Sequence, residues 1–215
     1  MDRRRVLKNM GLSLGYMVAT PTLLGLVQSC KSEPAITWTP EFLSQDQGAI
    51  LTKLVDLILP KTDTPAASEV QVDVFIDKFA NEVMEKEQQE LFTMSMNKFV
   101  EKALADSGKE NITDLTTDDL EPVLASSLKY SKEDQTKMQD AITSYSEALA
   151  EGKTSTLDDE TTRFAFANNL RGLTIWGYKA SEYVGEEVLA YLPVPGEYIA
   201  CGDAQELTGG KDWSL

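Results

Sequence analysis

Residues 158–179, DDETTRFAFANNLRGLTIWGYK, decide the fold. Three acids open the stretch, where they complement the positive end of a helix dipole. Phe164, Phe166, Leu170, Leu173, Ile175 and Trp176 follow, apolar on several sides of one helix. A helix with a single wet face shows one apolar stripe, whereas a helix apolar all round is buried. The stretch therefore predicts a central helix at about 158–179, with others packed around it.

Amphipathic patterns precede it. In 45–59, Ile50, Leu51, Leu54, Val55, Leu57 and Ile58 form a helical stripe. Ser44 with Gln47 fits a capping box, and Pro60 stops the run. KTDTPAA follows as a turn. Ser68 with Gln71 fits a second capping box, ahead of Val72, Phe75, Ile76, Phe79, Ala80 and Val83 at helical spacing. A third helix is predicted near 86–105, with Phe92, Met96, Phe99, Val100 and Ala103 on one face and Gly108 at its end. Polar residues 106–119 lead to a helix at 118–129, with Pro122 assigned to its first turn. Another spans 132–150, where Met138, Ala141, Ile142, Tyr145, Ala148 and Leu149 make the stripe and Gly152 closes it. The expected fold is all-α: one compact multi-helix domain over 40–215 with an irregular, aromatic and proline-rich C-terminal tail.

Composition excludes whole classes of function. The chain has 215 residues, a formal net charge of −15 and no histidine. An acidic chain is a poor ligand for nucleic acid. Without histidine it lacks the usual general base and the commonest metal ligand. Its two cysteines, Cys30 and Cys201, cannot build a zinc or iron–sulfur site. No CxxCH and no glycine-rich dinucleotide fingerprint occurs. Neither a catalytic, nor a cofactor-binding, nor a metal site is expected in this chain. The acid pair Asp73 and Asp77 is expected to face solvent, and Asp158, Asp159 and Glu160 to start a helix. Cys201 is expected to be buried and inert.

The N-terminus, MDRRRVLKNMGLSLGYMVATPTLLGLVQSC, reads as an address. A basic head precedes an uncharged segment that glycines and Pro21 dilute, which fits an export signal better than a spanning helix. Arg3, Arg4, Leu7 and Lys8 resemble the twin-arginine signature, with Val6 where phenylalanine is commoner. LVQSC resembles a bacterial lipoprotein processing site, which would remove 1–29 and lipidate Cys30. Residues 30–39 are then a tether, and the expected location is the periplasmic side of a membrane, anchored by lipid.

Two stretches carry a family resemblance. ILPKTDTPAASEVQVDVFIDKFA (58–80) and TIWGYKASEYVGEEVLAYLPVPGEYIACGD (174–203) resemble the gluconate 2-dehydrogenase subunit 3 family. The first matches a leucine-rich helix that ends in proline, a threonine–proline turn and an FID-like helix core. The second matches a glycine–aromatic step, a Ser-Glu helix start, and a Pro-Gly-x-Tyr before a cysteine. Ala66 departs from the pattern, which usually has glycine in that turn. The resemblance implies a non-catalytic small subunit. It would bind an FAD-containing oxidoreductase of the glucose–methanol–choline (GMC) type that oxidises sugars or sugar acids. A c-type cytochrome often takes the electrons. The subunit would escort this enzyme through the twin-arginine route and hold it at the membrane. The other reading of the residues is a stand-alone lipoprotein binding module with no redox partner. The tail holds the candidate partner surface: Trp176, Tyr178, Tyr183, Tyr191, Pro193, Pro195, Gly196 and Tyr198. Packing of this tail on the chain's own helices is weighed equally with partner contact.

Overall fold

Among the described residues, six helices longer than ten residues follow one another, and the sixth touches all the others. In the computed structural model, which describes residues 36–194, 196–197, 199 and 201–214, these are α1 (Gln45–Ile58), α2 (Val72–Glu82), α3 (Lys86–Ser107), α4 (Thr117–Leu128), α5 (Lys132–Ala150) and α6 (Asp159–Ala180). A π-helical turn, Val184–Val188, and a short α7, Ala204–Thr208, complete the tail. No strand occurs among the described residues, only an isolated bridge between Ala190 and Trp213. The fold is all-α.

The expectation of a central α6 holds, although Ile175 and Trp176, near its end, are 44% and 45% exposed. Asp158 caps it by accepting from the Thr161 backbone N–H at 2.9 Å and the Thr161 hydroxyl at 2.7 Å. These bonds hold its carboxyl below the usual range. Phe166, Ala167 and Leu170 are fully buried, and α1 to α5 all pack against α6. Phe166 lies 5.7 Å from the ring of Phe92 and 5.2 Å from that of Phe99. A large apolar side chain buried this way contributes about 1.5–3 kcal/mol. The Ser44–Gln47 capping box is present, and Gly108 ends α3 at φ 67°.

Several local expectations fail, each for a physical reason. Ser68 and Gln71 form no capping box. The Ser68 N–H and hydroxyl instead donate to Asp56 on α1, at 2.8 and 2.7 Å. Residues Ser68–Val70 make a 3-10 turn, and α2 starts only at Val72. Gln71 is the one described non-glycine residue with positive φ, at 60°. The left-handed step of this connection falls there, so Ala66 is unstrained and 7% exposed. Pro122 lies inside α4, beyond its first turn. The carbonyl it leaves without a helical donor belongs to exposed Asp118, which water can reach. On α5 only Tyr145 of the expected stripe is buried, and Ala141 is exposed, because this helix lies at the edge of the bundle. Val83, at the end of α2, is 61% exposed.

The largest correction concerns Asp73 and Asp77, which are buried at 3% and 1% exposure. Asp77 accepts from the backbone N–H groups of Glu41 at 2.6 Å, Phe42 at 3.3 Å and Leu43 at 2.9 Å. Asp73 accepts from the Trp38 indole N–H at 3.0 Å and the Thr52 hydroxyl at 2.6 Å. Together the two carboxylates clamp residues 38–43 along α2. Trp38, within the expected tether, is already part of the domain.

Two testable expectations arise here. The Ser127 hydroxyl on α4 is buried without a hydrogen-bond partner. A buried polar group left unpaired costs about 1–3 kcal/mol, so Ser127→Ala is expected to raise the unfolding free energy by about 1 kcal/mol, read as a higher urea midpoint. A lower midpoint would mean that the hydroxyl is satisfied in solution. Asp119, in the capping box of α4, is lowered to about 2, first by the Lys109 ammonium and then by Thr116. Its unfolded value is near 3.8. A depressed carboxyl stabilises fully above the unfolded value and loses that contribution as pH falls through the folded one. Asp119→Asn is therefore expected to melt below the native chain at neutral pH, with the gap closing between pH 3.8 and about 2. A gap that stays constant with pH would contradict this.

Candidate functional site

The end of α6 and the chain beyond it hold the tail residues singled out in the sequence. At Gly177 a side chain has no room: an added Cβ would lie 2.6 Å from the Phe75 ring. Glycine lets α2 close on α6 here, and Trp176 meets Phe75 and Phe79 edge-on, with ring centroids 5.2 and 5.3 Å apart. Trp176 still leaves 45% of its surface exposed. Gly177→Ala would push Phe75 aside and is expected to cost about 1–3 kcal/mol, read as a lower thermal midpoint. An unchanged midpoint would show that Phe75 moves freely.

Tyr178 is half-buried and donates its hydroxyl to the Pro65 carbonyl at 2.8 Å. It acts as a strut between α6 and the turn before α2. After the π-helical turn, the chain runs out and returns. The Ala190 N–H donates to the Asp212 carbonyl, and the Ser214 N–H to the Ala190 carbonyl, both at 2.9 Å. Lys179 pairs with Asp212 at 2.9 Å and holds its carboxyl below the usual range. These contacts pin both ends of a loop, 190–213, to the end of α6.

Within this loop, none of the described residues is buried. Tyr191, Leu192, Val194, Ile199 and Trp213 are each about half exposed or more. Long loops usually pack their own side chains or carry function. Self-packing accounts for Tyr178 and for buried Val184. Tyr183, Tyr191, Pro193 and Gly196 are exposed, whereas Pro195 and Tyr198 lie outside the described residues. So do Arg3, Arg4, Leu7, Lys8 and Cys30. Cys201 is exposed rather than buried, because it sits in the loop, where no core exists to cover it.

One feature had no counterpart in the sequence reading. A cleft of about 350 Å³ lies between the end of α2, α3, α5 and α6. Phe79, Leu91 and Ile142 line it with Gln139, Asn168 and Asn169, and its lining holds no ionisable group. It has nothing with which to move a proton at neutral pH. Among the described residues, no cluster of three or more Asp, Glu or Cys is placed to hold a metal ion. Also among them, no helix is long and apolar enough to cross a membrane.

A family model described as gluconate 2-dehydrogenase subunit 3 matches residues 45–196. The match starts with α1 and ends inside the exposed loop, before Cys201. No curated protein and no solved structure matches the chain.

Proposed function

Because the chain belongs to the gluconate 2-dehydrogenase subunit 3 family, we propose that it is a non-catalytic accessory subunit of an oxidoreductase complex. Its partner is an FAD-dependent dehydrogenase of the GMC type acting on a sugar or sugar acid. A c-type cytochrome downstream would take the electrons. The chain binds the folded flavoprotein, carries it through the twin-arginine route on its own Arg3-Arg4 signal, and holds it at the membrane through lipid on Cys30. The observation that carries this reading is the loop 190–213, pinned at both ends and apolar on the outside. The cleft between α2, α3, α5 and α6 carries no ionisable group.

The route explains the address. Twin-arginine export carries folded proteins, which suits a partner that must acquire FAD first. An Arg3→Lys, Arg4→Lys variant is expected to leave both this chain and the flavoprotein in the cytoplasm. Normal export of the flavoprotein without its companion would sink the escort role.

A further inference from the structure

The cleft between α2, α3, α5 and α6 plays no part in the proposed docking role, and no residue of the loop 190–213 lines it. In a chain that is 26% charged, its lining holds no charged side chain. The polar groups are instead four side-chain amides: Gln88 on α3, Gln139 on α5, and Asn168 and Asn169 on α6. Gln139 shares one face of α5 with Ile142 and Ser146, at i, i+3 and i+7, and that face forms a wall of the cleft. The aromatic wall is fixed in place. Phe79 meets Trp176 edge-on, with ring centroids 5.3 Å apart, and its ring lies 5.9 Å from that of Phe75.

The hydrogen-bonding groups of the lining are unevenly used. The Ser95 and Ser146 hydroxyls donate to the carbonyls of Phe92 and Ile142, at 3.1 and 3.0 Å. The Asn168 side-chain oxygen accepts from the Arg171 guanidinium at 2.9 Å, and that of Gln88 from the Glu85 N–H at 3.1 Å. Among the described residues, the side-chain amides of Gln139 and Asn169 have no partner, and both residues are exposed.

We propose that the cleft binds a small, uncharged, hydroxyl-rich molecule of the size of a mono- or disaccharide. A side-chain amide donates and accepts at once, as a hydroxyl does, so neighbouring hydroxyls on one ring meet both edges of one amide. The C–H face of such a ring rests on Phe79 and Ile142. The volume of about 350 Å³ lies within the range of small-molecule sites, about 300–1,000 Å³. Other ligands fit worse. A carboxylate or phosphate meets no cation in the lining, and an ammonium meets no carboxylate, so either is desolvated unpaired. A purely apolar ligand covers the amides without satisfying them.

The test titrates the full-length, isotope-labelled chain with glucose, maltose and sorbitol, and with glucuronate as a charged counterpart. The side-chain amide signals are followed by NMR. The expected result is saturable binding of at least one neutral compound, with a dissociation constant of about 10 mM or below. The Gln139 and Asn169 amide signals shift as it binds, and glucuronate binds at least about tenfold more weakly. Gln139→Ala with Asn169→Ala is expected to weaken binding about tenfold or more, because two hydrogen bonds are lost. The melting temperature of the free double variant should match the native chain, since both residues are exposed. Absence of saturable binding by all three neutral compounds would overturn the proposal. So would native-strength binding by the double variant, tighter binding of glucuronate, or shifts confined to residues outside the cleft.

Discussion

Asp77→Ala is expected to be strongly destabilising, with a much lower urea midpoint. Its carboxylate is the acceptor for three consecutive backbone N–H groups, those of Glu41, Phe42 and Leu43. Alanine would strand all three beside the core, where Leu43 is 7% exposed. Each buried donor without an acceptor costs about 1–3 kcal/mol. The Leu43 donor is buried and those of Glu41 and Phe42 are half-buried, so the total is about 3 kcal/mol or more, a large part of the roughly 5–15 kcal/mol that holds a domain together. Asp77→Asn keeps one acceptor oxygen, and its midpoint should fall between native and alanine. Urea unfolding followed by circular dichroism reads all three. An alanine unfolding free energy within about 0.5 kcal/mol of native would mean that residues 38–43 do not depend on the clamp.

The second large effect is expected at the loop. Tyr191→Ser with Leu192→Ser removes two exposed side chains that touch no core, so the thermal midpoint should stay where it is. Loss of the partner should be severe. Central apolar and aromatic anchors of an interface commonly contribute about 2 kcal/mol or more each, or roughly thirtyfold in affinity. A hundredfold or greater loss of flavoprotein binding, with the melting curve intact, is therefore expected for the pair. Native binding by this variant would move the docking surface elsewhere, with the half-exposed Trp176 as the next place to look.

The helices were legible where local chemistry and periodicity agreed. Asp158 caps α6, Ser44 caps α1, and Gly108 ends α3, all within a residue or two of the expected positions. What failed depended on contacts distant in sequence. A Ser-x-x-Gln pattern at 68–71 fits a capping box equally well until Asp56, twelve residues earlier, takes the serine. Asp73 and Asp77 at i, i+4 describe a solvent face as well as a buried clamp, since the donors lie 21 to 36 residues upstream. One signal was present: both acids sit directly beside Val72, Ile76 and Ala80, so the carboxylates border the apolar stripe rather than oppose it. The stripe of α5 was legible as a pattern, but its position at the edge of the bundle was not.

The candidate surface was only partly readable. Its aromatic richness marked the tail, and the structure separates the strut Tyr178 from the outward-facing Tyr183 and Tyr191. Nothing in the sequence pairs Ala190 with Asp212 and Ser214, because two backbone hydrogen bonds and one ion pair leave no periodic trace. The same is true of the cleft beside α5, which arises from packing geometry among four helices.

The most direct measurement is a pull-down from membranes with a C-terminally tagged form of this chain, followed by mass spectrometry and an absorbance scan. The predicted result is a yellow complex, with a flavin spectrum and a GMC-type subunit that has no signal sequence of its own. A colourless chain recovered alone, under conditions that keep membrane complexes intact, would contradict the accessory-subunit reading.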